Sequence, residues 1–404
     1  MTTIDISDRR IRSAKVIRNF FVGRSFAGRP YLISPFFDFL TAGGAGLIVL
    51  GVFLVFYPRS EVSSPGNQSV LQISLIFSAL AYFVNFPHFM ASYELLYNNL
   101  QRRLSPFSTR DLMWWRYINA AYIVPVVLVV FFLYLLVQRD YATLGMCVHL
   151  MFFFVGWHYV KQSYGVFIVL SGMKGIYYAT WQTVLLKLHS YTLWIYTWYK
   201  SGMVISNAGQ PGSEHYLGLN YKPLPMYKTA EAEQLVFSLV ILCGILAYVA
   251  ILARWYTTRK RPSFTALIGY TSMYPLFAFS RLHPLFAYAA PMFHSLQYML
   301  FVYAYKRGEW QMEGLHEYAP TPEESRVRSN WLKALKYFLF IAATGAIGFD
   351  VLPTYFEGKG PNWGLTIPGM FLFHLFINTH HYFIDSVIWR KDNRDVSRNL
   401  FAKR

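Results

Sequence analysis

Four histidines lie within long apolar stretches of this 404-residue chain: His88, His158, His294 and His381. An ionisable side chain inside a membrane is costly, so several of them at a similar depth indicate a shared ligand. Imidazole is also the commonest protein ligand for metals, and its neutral form loses less on leaving water than a carboxylate does. The four histidines therefore predict a buried metal site.

The composition of the chain places it among membrane proteins. Hydrophobic residues make up 55% of it and charged residues 14%, which excludes an ordinary soluble domain with a wet surface. The formal charge of +17 lies mainly in short loops and tails beside apolar segments, where basic residues orient a membrane protein and meet anionic lipid. We therefore expect membrane lipid as a partner and no nucleic acid.

Apolar segments of roughly 20 residues are long enough to cross the hydrocarbon core of a bilayer. The sequence predicts an all-α, polytopic membrane helix bundle of about ten transmembrane helices, with spans near 38–57, 68–97, 117–137, 142–171, 177–199, 233–257, 263–280, 284–305, 331–350 and 364–389. Arginine and lysine are concentrated in the N-terminal arm, in the loops 98–116, 258–262 and 306–330, and in the C-terminal tail. Ten spans place all of these segments on one side, so both termini are expected to be cytoplasmic.

This topology divides the chain into three parts. Residues 1–37 form a basic cytoplasmic N-terminal arm, 38–389 the transmembrane bundle, and 390–404 a basic cytoplasmic tail. A segment rich in Gly, Pro, Ser and Asn at about 200–232 is expected to form the longest outer loop. The expected location is a bacterial inner membrane, as a multi-pass integral protein.

The same topology puts the four histidines on spans 2, 4, 8 and 10, which all run in one direction. Counted from the cytoplasmic ends of these spans, the histidines differ in depth by less than about 8 Å. Four helices can therefore present their imidazoles to one point.

Polar neighbours one helical turn away strengthen this interpretation, because a metal-bound histidine usually donates its second ring nitrogen to an oriented acceptor. The candidates for such partners, or for extra ligands, are His380, Asp385, His374, Gln162, Gln297, His189, Asn378, Ser92 and Tyr298. Two alternatives stay open at this point. Either His380 or His381 is the ligand on span 10, and Asp385 either orients a metal-bound imidazole or pairs with a basic residue such as Arg390.

The local sequences around the histidines resemble those of a known family. They are Phe86-Pro87-His88, Trp157-His158, the 283–295 segment that ends in Phe293-His294-Ser295, and Asn378-Thr379-His380-His381. Together they are similar to the Brp/Blh beta-carotene dioxygenase family, membrane proteins in which histidines from four helices are thought to hold a non-haem iron that cleaves a carotenoid to retinal. The chain departs from the family at Gln297-Tyr298, where the family tends to have Arg-His, and at Ser92 and Gln162, where it tends to have aspartate.

The resemblance implies His88, His158, His294 and one of His380 or His381 as ligands, Fe²⁺ as cofactor, and dioxygen and a hydrophobic small molecule from the bilayer as partners. The leading hypothesis is therefore an integral membrane non-haem iron oxygenase of the dioxygenase type. Its substrate would be a hydrophobic lipid or isoprenoid, with oxidative cleavage of a carotenoid as the best interpretation. No catalytic residue is assigned beyond the metal ligands.

Two other functions remain open. The first is a non-enzymatic transporter, or a proton or metal conduit, that uses the intramembrane His/Asp stripe of span 10; it requires an open polar path through the membrane. The second is a haem-binding electron-transfer protein, although the chain contains no CxxCH attachment motif.

Overall fold

A computed structural model of the protein describes residues 31–57, 68–98, 100–201, 214–216, 219–221, 229–274, 285–316, 323–358, 368–390 and 392–401. Within these ranges the chain is almost entirely helical. The two strands described there, Glu214–Tyr216 and Leu219–Tyr221, form an antiparallel hairpin inside the predicted outer loop.

The helices are, in chain order, α1 (Pro35–Phe56), α2 (Gln68–Ala81), α3 (Asn85–Tyr97), α4 (Leu100–Leu104), α5 (Leu112–Val137), α6 (Tyr141–Met173), α7 (Thr180–Ser201), α8 (Ala230–Thr258), α9 (Phe264–Thr271), α10 (Phe286–His316), α11 (Glu323–Ala346), α12 (Leu352–Phe356), α13 (Gly369–Ile388) and α14 (Arg394–Phe401). Turns of π-helix interrupt α1 and α5 and join α11 to α12.

Within the described part of the chain, six helical segments are long and apolar enough to cross a membrane. They are α1, Leu71–Tyr97, α5, α6, α8 and Trp331–Phe356. The prediction of a helical membrane protein is thereby confirmed at this level. The predicted spans 5, 8 and 10 correspond to α7, α10 and α13, whose polar residues lower their hydropathy.

The predicted seventh span, 263–280, is described only in part. Its helix α9 covers Phe264–Thr271, 8 residues that rise about 12 Å and so reach across only part of the hydrocarbon core, and residues 273 and 274 are again helical. Residues 275–284 are outside the described ranges.

The two predicted terminal segments are described in part. Residues 1–30 of the predicted arm lie outside the described residues, and α1 begins at Pro35, inside the predicted arm 1–37, directly after the extended N-cap residue Ser34. In the predicted tail, α14 packs against α10, so Arg394–Phe401 is part of the folded protein.

The centre of the bundle is built around α3, which packs against α10, α11 and α13, while α13 also packs against α5 and α6. Proline shapes two of these central helices. Pro87 has no amide proton to bond to residue 83, which accounts for the break between α2 and α3. Pro291 lies inside α10 and removes a backbone hydrogen bond just before His294. Two of the candidate ligands thus follow proline-modified turns.

The bend in α1 depends on a glycine. Gly43 has a φ angle of 153°, a conformation that side-chain-bearing residues rarely adopt, and it sits inside the π turn of this helix. A Cβ atom there would collide with the side chain of Ser272 and lie 3.0 Å from the carbonyl oxygen of Ile268. The glycine therefore lets α1 approach the end of α9 closely.

Candidate metal centre

The four histidines predicted from the sequence meet in the interior of the bundle, one each from α3, α6, α10 and α13. Ring centroids are 4.6 Å apart for His88 and His381, and 4.9 Å apart for His158 and His381. The ring of His294 is 4.8 Å from that of His158 and 5.2 Å from that of His88. Their exposed fractions range from 0% to 6%, so the cluster is closed to bulk water.

Three of these residues form a group that could hold a metal ion. Each of His88, His158 and His381 offers a nitrogen that lies within 4.8 Å of the nitrogens of the other two. His294 lies beside this triad, in contact with it through its ring. Among the described residues, Nε2 of His88, Nδ1 of His381 and both nitrogens of His294 are buried without a hydrogen-bond partner. Buried polar atoms normally have partners, and clustered imidazole lone pairs are suited to a bound cation.

The hydrogen bonds of His88 indicate which of its nitrogens faces the cluster. The Ser295 hydroxyl donates to Oδ1 of Asn85 at 2.8 Å and lies 3.2 Å from Nδ1 of His88. Because a hydroxyl has one proton, Nδ1–H of His88 is the donor in the second contact. Its Nε2 then carries the lone pair, as a metal ligand requires. The sequence did not point to Ser295 or Asn85 in this role, since the contacts join different helices.

Asp385 lies within the histidine cluster. Its Oδ2 is 3.3 Å from Nε2 of His381 and 3.5 Å from Nε2 of His158. Its Oδ1 accepts hydrogen bonds from the Tyr298 hydroxyl at 2.8 Å and from the Ser92 hydroxyl at 3.3 Å. Three residues predicted as partners, Ser92, Tyr298 and Asp385, thus form one hydrogen-bonded group against the imidazoles.

Arg390, the alternative partner for Asp385, binds a different carboxylate. Nε of Arg390 donates to Asp392 at 2.8 Å, outside the end of α13. This hydrogen bond holds the pKa of the Asp392 carboxyl below its usual range. Of the two roles left open for Asp385, the structure therefore favours the one at the histidines.

The structure also distinguishes between His380 and His381, the adjacent pair on α13. His380 contacts the Tyr93 hydroxyl through Nδ1 at 2.9 Å and the Ala120 carbonyl oxygen through Nε2 at 2.7 Å. Both of its nitrogens are therefore occupied by partners outside the cluster. His381 is the member of the pair that faces the other histidines, because successive helical residues point about 100° apart.

Gln162 and Gln297 lie next to the cluster and hold the backbone near it in place. Neither forms a hydrogen bond with an imidazole nitrogen of the cluster. Nε2 of Gln162 donates to the backbone carbonyl of His294 at 2.9 Å and to Oε1 of Gln297 at 2.9 Å. Nε2 of Gln297 donates to the Ala42 carbonyl at 2.6 Å and to Ser272 at 3.1 Å. These amides join α6, α10, α1 and the end of α9, and so fix the position of His294.

Two residues of the predicted polar stripe on α13 are not part of the cluster. Nε2 of His374 is 3.2 Å from the carbonyl oxygen of Phe349, and Nδ2 of Asn378 donates to the backbone carbonyl of His374 at 2.8 Å. The structure therefore does not bring His374 and Asn378 to the cluster. Their polar atoms bond to backbone carbonyls in the N-terminal half of α13.

His189, predicted as a possible extra ligand, belongs to a separate polar group between α7 and α9. Its Nδ1 is 2.9 Å from the Tyr270 hydroxyl and its Nε2 is 2.8 Å from the Tyr274 hydroxyl. The Tyr270 hydroxyl in turn donates to the Leu186 carbonyl at 3.0 Å. Both ring nitrogens are thus in contact with tyrosine hydroxyls, and the structure does not bring His189 to the cluster.

Replacing His189 with phenylalanine is expected to reduce stability without removing metal. The substitution removes one hydrogen-bond partner from the buried Tyr270 hydroxyl, which keeps its bond to the Leu186 carbonyl, and one from the half-buried Tyr274 hydroxyl. We expect a total cost of about 1–3 kcal/mol. Thermal unfolding in detergent should therefore shift to lower temperature, while the metal content per folded chain equals that of the wild type. Loss of metal without loss of stability would show that His189 is a ligand after all.

Aromatic rings, which the sequence analysis did not single out, enclose the cluster. Tyr159 stacks on His294 with centroids 4.0 Å apart and an angle of 25° between the rings. Phe89 lies 4.8 Å from His381, and Tyr382 lies 5.4 Å from His158. Their abundance in the spans was visible in the sequence, but aromatic residues occur throughout the chain, so no signal distinguished these three.

Comparison with protein-family models, with curated proteins and with solved structures found no match. The fold and the site alone therefore define the class of this protein. It is a helical membrane protein with a buried histidine triad that could bind a metal.

Proposed function

We propose that the protein is an integral membrane non-haem iron oxygenase that acts on a hydrophobic lipid or isoprenoid, with oxidative cleavage of a carotenoid as the leading activity. The observation that carries the proposal is the convergence of four buried imidazoles, several with unpartnered nitrogens, beside one carboxylate. Neutral imidazole together with carboxylate oxygen is a donor set that suits Fe²⁺ and leaves positions open for other ligands.

In this proposal each residue of the cluster has a defined task. His88, His158, His294 and His381 hold Fe²⁺, and the iron supplies the activation of dioxygen when bound. Ser295 fixes the tautomer of His88, and the glutamine amides hold the backbone at His294. The rings of Tyr159, Phe89 and Tyr382 exclude water and offer apolar surface to a substrate that enters from the bilayer. None of these tasks requires a general base from the protein.

The proposal includes the topology and location expected from the sequence. Ten spans with both termini cytoplasmic would place every strongly basic segment on one side of a bacterial inner membrane. Protease accessibility of tags inserted at the two ends of the bundle, in sealed vesicles of known orientation, measures this arrangement directly.

Two features favour an oxygenase over the alternative functions. The rings of His88, His158 and His381 are in direct contact, whereas the axial histidines of a haem lie on opposite sides of a porphyrin plane. A conduit needs a continuous polar path, but His374 and Asn378 bond to backbone carbonyls instead of extending the cluster along α13. The cluster itself is enclosed by aromatic side chains.

The experiment that tests the proposal measures metal and product together. Protein purified in detergent is expected to contain, or to take up anaerobically, about one Fe²⁺ per chain without a Soret band. With oxygen and carotenoid micelles it should then form apocarotenoid aldehydes, detected by liquid chromatography. Failure to bind Fe²⁺ would reject the oxygenase, and a Soret band would indicate haem. Stoichiometric iron without any carotenoid product would limit the proposal to another hydrophobic substrate.

A further inference from the structure

Three donor atoms of the cluster form a nearly equilateral triangle. Nε2 of His158 is 3.3 Å from Nε2 of His381. Oδ2 of Asp385 is 3.3 Å from the second of these nitrogens and 3.5 Å from the first. All three side chains are buried, with exposed fractions of at most 7%. The carboxylate oxygen therefore faces two imidazole nitrogens at the same time, at distances that differ by only 0.2 Å.

The sides of this triangle are longer than the donor–acceptor distance of a simple ion pair. A charge-assisted hydrogen bond between imidazole and carboxylate has a heavy-atom distance of about 2.7–2.9 Å. Donor atoms bound to one metal at about 2.0–2.2 Å are separated by roughly 2.8–3.6 Å for ligand angles between about 90° and 109°. The three sides, 3.3, 3.3 and 3.5 Å, fall in the second range. The spacing matches one face of a coordination sphere.

We propose that Asp385 is a direct oxygen ligand of the metal, on one face with His158 and His381. This inference rests on the proposed function for the identity of the metal and goes beyond it in the ligand set. The donor set becomes mixed, with the negative charge of a carboxylate added to neutral imidazoles. A carboxylate together with imidazoles suits a non-haem iron oxygenase, whereas imidazoles alone also suit zinc and copper.

The surroundings of Asp385 hold it in the orientation that this role requires. The hydroxyls of Tyr298 and Ser92 both contact Oδ1, and they lie 2.6 Å from each other. With Oδ1 fixed in this way, Oδ2 is left for the nitrogens. Asp385 also follows His381 by four residues on α13, so the two side chains lie on the same face of one helix. Tyr298 is therefore a positioning residue for the carboxylate.

The test is a metal titration of the detergent-solubilised full chain in five forms. These are the wild type, D385N, Y298F, H381A, and D392N as a matched control at a residue that is paired with Arg390 outside the cluster. Apoprotein is titrated anaerobically with Fe²⁺ against a chelator. It is titrated separately with Co²⁺, whose visible spectrum reports the identity and geometry of its ligands independently of activity.

D385N is expected to weaken Fe²⁺ binding by more than about 100-fold, because loss of a mere supporting group costs about 10–100-fold. The spectrum of its Co²⁺ complex should also differ from that of the wild type, whereas D392N should match the wild type in both measurements. Y298F should weaken Fe²⁺ binding by about 10–100-fold and leave the Co²⁺ spectrum close to that of the wild type.

Three results would overturn the proposal. In the first, D385N has the wild-type Co²⁺ spectrum and H381A loses the metal. The metal centre would then be supported, but Asp385 would not be one of its ligands. A wild type that binds neither ion would reject the proposed function together with this inference. If D385N does not fold, D385E decides the question, since it retains a carboxylate. It is expected to bind Co²⁺ with a shifted spectrum, and an unshifted spectrum would contradict direct ligation.

Discussion

Replacing His381 with alanine is expected to lower the affinity of the protein for Fe²⁺ by more than about 100-fold, beyond the effect of losing a supporting residue. This residue has the closest contacts in the cluster: its ring lies 4.6 Å from that of His88 and its Nε2 lies 3.3 Å from Nε2 of His158. It is also completely buried. Iron content of the purified protein and anaerobic titration of the apoprotein measure the loss, and carotenoid cleavage should disappear with the iron.

The neighbouring residue offers a matched control for this prediction. His380→Ala makes the same change one position earlier on the same helix, but it removes contacts with Tyr93 and the Ala120 carbonyl rather than with the cluster. It should lower the unfolding temperature, because the loss of a hydrogen bond leaves buried polar atoms unsatisfied at a cost of about 1–3 kcal/mol. Its iron content should equal that of the wild type. Equal iron loss in both variants would contradict the assignment of His381 and indicate a general effect of disturbing α13.

Gly43→Ala is expected to destabilise the protein by about 2–5 kcal/mol, the sum of an unfavourable backbone conformation and overpacking. Gly43 has a φ angle of 153°, and Ser272 and the carbonyl of Ile268 occupy the space that a Cβ atom there would need. A methyl group there must displace α1 from α9. The displacement would also disturb Gln297, which donates to both Ala42 and Ser272. Thermal unfolding in detergent measures the effect, and iron retention should decrease at temperatures where the wild type still retains it.

Gly51→Ala is the control on the same helix. No heavy atom lies within 4 Å of a Cβ atom at this position, and the residue is exposed. Alanine has a higher helix propensity than glycine by about 1 kcal/mol, so this variant should be as stable as the wild type or slightly more stable. A Gly43→Ala protein that unfolds like Gly51→Ala would show that α1 and α9 do not pack as described.

The sequence predicts the histidine cluster because topology and helical rise constrain depth. Once His88, His158, His294 and His381 are placed on spans that run in one direction, their depths in the membrane follow from counting residues. The rotation of each helix about its own axis does not follow from such counting. It depends on packing between side chains that are distant in sequence, and this is why His380 and His381 could not be distinguished.

The same reasoning explains why some residues were missed or lie outside the cluster. The contact of Ser295 with His88 joins residues 207 positions apart, and no local pattern carries that information. Two tyrosine hydroxyls contact the two ring nitrogens of His189, and a sequence cannot distinguish this arrangement from metal ligation. The predicted seventh span extends past the end of α9 because apolar composition continues beyond Thr271.

The distribution of the ligands along the chain has a consequence for how the protein is made. The first histidine of the cluster is on α3 and the last is on α13, 293 positions later. No shorter stretch of nascent chain contains the complete donor set, so the cluster cannot assemble while the helices are inserted one after another. Loading of the proposed metal must therefore follow insertion of the final ligand helix. Under the proposed function, a cell short of iron would accumulate the protein in an inserted, metal-free form.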